Sequence, residues 1–121
     1  MWRCAPISLL GLFLAPSIPA LADNPHSINS VYVREISKQE CLRLASSALS
    51  DTKLQVFGTT ADAVWANTSK ATQMASLYCV PSRKSDAIEV IIVTVSGPSR
   101  DSNHRLVDQL VSRLRTIAPR D

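Results

Sequence analysis

His104 stands three residues after Asp101 and four before Asp108. On a helix that spacing projects all three into one sector. A histidine among carboxylates can act in acid–base catalysis or bind a metal, so a hydrolase-type site built on His104, Asp101 and Asp108 is one reading. The same residues also make an ordinary solvated helix face. A single histidine between exposed carboxylates falls short of the ligand set of a closed metal site, and nothing near it positions a substrate. The solvated face is the preferred reading.

The other nucleophiles lead nowhere catalytic. None of the serines sits in a G-x-S-x-G turn. Beyond the N-terminal segment only Gly58 and Gly97 remain, too few for a glycine-rich phosphate loop. Cys41 and Cys79 lie too far apart for a C-x-x-C redox pair. As an even count in an exported chain they are expected to bond to each other. No cofactor and no metal is expected, and the chain reads more as a binder than as an enzyme.

The expectation of export comes from the N-terminus. Arg3 supplies a positive charge, residues 7–15 are apolar or small, Pro16 and Pro19 break that run, and Ala20-Leu21-Ala22 precedes the polar Asp23. These are the parts of a cleavable secretory signal. The apolar run is shorter than the ~20 residues of a spanning helix, and Cys4 precedes it, the wrong side for a lipid-modified cysteine. Residues 1–22 are therefore read as a signal peptide and 23–121 as one small domain, periplasmic or secreted, with a bacterial host favoured and no membrane span in the mature chain. The formal charge of +3 on the whole chain is too mild to imply nucleic acid.

The domain must be built from short elements. Residues 28–36, with Val31, Tyr32 and Val33, read as a strand. Ser37-Lys38-Gln39-Glu40 fits a capping box, opening a helix to about residue 50 with Cys41, Leu42, Ala45, Ala48 and Leu49 on one stripe. Residues 53–57 read as a second strand. Residues 62–67 are open between strand, loop and helical turn, with an irregular or strand-like connection favoured. Residues 71–80 form a third strand with Ala75, Leu77 and Cys79 on one face. If the first helix packs there, Cys41 and Cys79 face each other. Residues 87–96 are the strongest strand signal, and residues 102–118 form a last helix with Leu106, Val107, Leu110, Val111, Leu114 and Ile117 inward. The order β-α-β-β-β-α predicts an α+β two-layer sandwich: a mostly antiparallel sheet with two helices packed on one face.

The strand at 87–96 does not alternate. Ile88, Val90 and Ile92 are as apolar as Ile91, Val93 and Val95, although helices on one side cover only one face. Tyr32, Trp65, Met74 and Tyr78 are expected to join Val90 and Ile92 on the other. Either Trp65 and its flanking segment fold over that face, or a second copy or a partner protein covers it. The leading expectation is a small exported binding or accessory protein, such as an inhibitor or an envelope factor. The alternatives are the His104 enzyme and a ligand or metal carrier using the cleft between helix and sheet.

Overall fold

The computed structural model describes residues 25–118; the expected signal peptide and its cleavage site lie outside the described residues. The elements are β1 (His26–Ile36), α1 (Lys38–Asp51), β2 (Gln55–Thr59), β3 (Ala63–Asn67), β4 (Met74–Pro81), β5 (Ile88–Ser96) and α2 (Arg100–Ile117). The α+β class, the antiparallel sheet and the helices packed on it are as expected. The segment left open at 62–67 is a strand, β3, paired on both sides. Its Val64 and Ala66 are fully buried, so the alternation that marks a half-buried strand is present but short.

The sheet runs in the order β1-β5-β4-β3-β2, and every pairing is antiparallel. Consecutive strands from β2 to β5 are neighbours. The chain reaches that meander by passing from β1, at one edge, through α1 to β2, at the other. The first and last strands therefore lie side by side. α2 covers β1 and β5, while α1 covers β2, β3 and β4 and packs against α2. One core fills the space between the layers, with Leu44, Leu49, Leu77, Ile91, Val93, Leu110 and Leu114 essentially sealed from solvent.

The helix ends explain where neighbouring strands begin. Ser37 Oγ accepts a hydrogen bond from the Glu40 amide at 3.1 Å, the first half of a capping box. The second half is replaced: the Glu40 carboxylate takes two bonds from Arg43, at 2.8 and 2.7 Å. At the other end, Lys53 adopts φ 66°. The Lys53 amide donates to Ser50 O (2.9 Å) and the Leu54 amide to Leu49 O (3.0 Å), the pair of bonds of a Schellman motif. This turn uses up residues 52–54, so β2 starts at Gln55 rather than 53. The β3–β4 connection also takes residues expected in a strand. Thr68 Oγ1 accepts from the amides of Thr72 and Gln73, and Ala71 has φ 56°.

The buried stripes differ from the expected ones by one residue each. α1 buries Cys41, Leu44, Ala45, Ala48 and Leu49, while Leu42 is only partly buried. The small methyl side chains of Ala45 and Ala48, both fully buried, let α1 sit close on the sheet. α2 buries Asn103 at the head of its apolar stripe, and Ile117 is partly buried at its tail.

Candidate interaction face

The pairing register divides the sheet cleanly. Val31, Ile91 and Cys79 share one row, and Val93 with Leu77 the next; these point into the core and are buried. The intervening rows point away from both helices. One row joins Tyr32, Val90 and Val80, the next Ser30, Ile92, Tyr78 and Ala63. A third joins Ile28, Thr94, Ser76, Trp65 and Gly58, and the last His26, Ser96, Met74, Asn67 and Gln55.

All six residues assigned to the helix-free side, Tyr32, Trp65, Met74, Tyr78, Val90 and Ile92, therefore lie on one surface. Tyr32 is 76% exposed, Met74 42% and Tyr78 40%, whereas Trp65, Val90 and Ile92 are half-buried among their neighbours. Trp65 sits within β3 as part of the face, and no described segment folds across it. Sequence reading missed Ile28, which is 67% exposed on the row of Trp65. The alternation Ile28-Ser30-Tyr32 was the available signal.

Ile88 is the exception to the alternating pattern. It is completely buried, although Val90 and Ile92 two and four residues on face outward. Register shifts between Tyr32 and Ile36 on β1 and between Val80 and Pro81 on β4 flank it. Such irregularities rotate a side chain to the opposite face, so the apolar run of β5 divides into a core set that includes Ile88 and an outward set of Val90 and Ile92.

A small depression on the outward side is lined by His26, Trp65, Met74, Ser76, Thr94 and Ser96. The larger depressions lie elsewhere, along α2. One runs between the end of α1 and α2, lined by Asp51, Lys53, Asp108, Ser112 and Arg113 among others. Arg113 bridges it, with both its Nε and its Nη2 2.7 Å from Asp51 Oδ2. The interval between helix and sheet, where a carried ligand was considered, is occupied by core side chains.

The residues considered for catalysis are on the solvent side of α2. His104 Nε2 lies 3.4 Å from Asp108 Oδ2, with side chains 71% and 59% exposed, and Asp101 is exposed in the first turn. Among the described residues no group of three or more His, Cys, Asp and Glu side chains is arranged to hold a metal ion.

Cys41 and Cys79 are joined. Their Cα atoms are 6.3 Å apart, within the range a disulfide spans, and neither is accessible to solvent. The bridge ties the first turn of α1 to the middle of the sheet. It holds the helical layer over the inner face and leaves the outer one open. Among the described residues no helix is long and apolar enough to cross a membrane. No protein-family model matches the chain, and comparison with curated proteins and with solved structures likewise finds no match.

Proposed function

We propose that this chain is a small exported binding protein that acts through protein–protein contact on the helix-free face of its sheet. The observation that carries the reading is the exposure of Tyr32 and Ile28, at 76% and 67%, on a face that also presents Met74, Tyr78, Val90 and Ile92. Burying such side chains is worth about 1.5–3 kcal/mol each, a gain the isolated domain does not collect. Several large apolar side chains exposed on one face mark an interaction site, and tyrosine and tryptophan are enriched at such sites. The buried disulfide supports export, because such bonds persist in oxidising compartments. The leader-like N-terminus supports it independently.

Two measurements test the reading. Intact mass of the protein recovered from the envelope or medium is expected to correspond to a chain beginning at Asp23; retention of residues 1–22 would remove the export argument. Cross-linking of the mature domain in envelope extract is expected to give an adduct that disappears in an Ile92→Glu variant. An adduct indifferent to that substitution would place the contact elsewhere.

A further inference from the structure

We infer that the occupant of the helix-free face is a second copy of this chain, packed sheet against sheet about a twofold axis. This rests on the proposed reading of the face as a binding surface and adds the identity of what covers it.

Charge makes the first argument. The chain has 13 Lys and Arg and 10 Asp and Glu, yet none of them lies on the four outward rows that begin at Tyr32, Ser30, Ile28 and His26. Partners that find each other electrostatically carry complementary charges across the contact. An isologous contact cannot do so near its axis, because there each patch meets its own duplicate. A charge near that axis would face its like and would be desolvated without a partner. An uncharged face is what self-pairing requires.

The polar groups on the face fit the same arrangement. Ser30, Ser76, Thr94 and Ser96 alternate with the apolar side chains, and a hydroxyl both donates and accepts. A hydroxyl of one copy can therefore pair with a hydroxyl of the other whichever of the two donates, which two carboxylates or two ammoniums cannot do.

Size is the third argument. The four outward rows hold three, four, five and five residues, and at about 4.8 Å between strands and about 6.8 Å between rows they make a face of roughly 550 Å². Two such faces remove about 1,100 Å² from water, above the roughly 1,000 Å² that a specific interface must clear. Sheets of the same twist stack aligned at about 30°. The pair would then form four layers, with the helices and their charges outside and the row of Ile92 and Tyr78 near the centre.

Sedimentation equilibrium of the mature domain across the micromolar range tests this, with Tyr32→Glu and Ile28→Glu as variants. Both side chains are mostly exposed, so neither change empties the core, and retention of far-ultraviolet dichroism and of the disulfide confirms folding. Wild type is expected to be a dimer, and each variant to weaken it by roughly tenfold or more, since each places two carboxylates in one contact. Trp65, the only tryptophan beyond the leader, supplies a reading without mutation: its emission is expected to shift to the red on dilution through dissociation. A dimer indifferent to both substitutions, or one whose Trp65 emission does not change on dissociation, overturns the inference. So does a monomer throughout the range. In that last case a cross-linked adduct with a different protein, lost in both variants, keeps the binding face while rejecting the second copy. A monomer with no face-dependent adduct rejects both.

Discussion

The side-chain amide of Asn103, in the first turn of α2, donates to the carbonyl oxygen of Pro25, just ahead of β1, at 3.1 Å. The same nitrogen donates to Gly97 O at 3.0 Å, and Asn103 Oδ1 accepts from Gln73 Nε2 at 3.0 Å. One fully buried side chain thus joins the entry to β1, the exit from β5 and the β3–β4 turn. Asn103→Leu would strip the Asn103 donor from the Pro25 and Gly97 carbonyls, leaving Pro25 O only the long bond from the Gly97 amide (3.4 Å), would take the acceptor from Gln73 Nε2, and is expected to cost about 2–4 kcal/mol, read from urea unfolding. Asn103→Asp keeps the bond to Gln73 but turns a carboxylate oxygen toward two carbonyls. That environment raises the pKa of the new carboxyl in the folded state. Stability is then fullest below the unfolded pKa and is lost as pH rises through the folded one, so this variant is expected to be more stable in acid than at neutrality. Equal stability of Asn103→Leu and wild type would show that the network contributes nothing.

Reducing the Cys41–Cys79 bridge is expected to be costly. It closes a loop with a sequence separation of 38, for which the chain-entropy model gives about 4 kcal/mol. A domain of this size has only about 5–15 kcal/mol in total. The Cys41→Ala, Cys79→Ala double variant should therefore unfold at markedly lower urea while keeping its secondary structure in water. Alkylation of two free thiols in native exported protein would contradict the pairing itself.

The ends of α1 give opposite predictions. Lys53 closes the helix with a left-handed backbone, φ 66°, at the position glycine normally takes. Its side chain is exposed, so Lys53→Gly is expected to stabilise the domain by about 0.5–1 kcal/mol, the relief of backbone strain exceeding the added chain entropy. Ser37→Ala should cost about 1 kcal/mol through loss of the cap. Hydrogen bonds from Arg43 hold the Glu40 carboxyl below its ordinary pKa. A depressed carboxyl stabilises above its unfolded pKa and loses that effect as pH falls through the folded value. Any change in the acid limb of stability on Glu40→Gln should therefore be a loss of sensitivity to acid. Denaturant midpoints measured across pH 2–6 (about the range of an ordinary carboxyl) would keep the wild-type pH dependence in Glu40→Gln if the pair were unimportant.

Substitution of His104 is expected to be silent. Its contact with Asp108 lies in solvent, and surface changes of this kind move stability by no more than about 0.5 kcal/mol. A binding protein working through its sheet should associate equally well as His104→Ala. Loss of function in that variant, with association intact, would instead favour the acid–base reading of Asp101, His104 and Asp108.

The layer architecture was legible in the chain alone, because burial repeats along each element and period identifies its type. The alternation of Ala75, Leu77 and Cys79, the stripe from Leu106 to Leu114 and the capping serine at 37 are all local signals. The facing of Cys41 and Cys79 followed once a helix was laid on that strand. Other features depended on partners distant in the chain. β3 is five residues long, too short for its pattern to stand out, and it is defined by hydrogen bonds to β2 and β4. Leu44 replaced Leu42 in the core because both flank the stripe of Cys41, Ala45, Ala48 and Leu49, and only the surfaces packed against α1 choose between them. Ile88 turned inward through irregularities whose register is set by two neighbouring strands. Asn103 reads as one more polar residue on a helix until the carbonyls of Pro25 and Gly97 are brought to it. Local periodicity records which side chains leave water; contacts between elements distant in the chain set what each of them meets there.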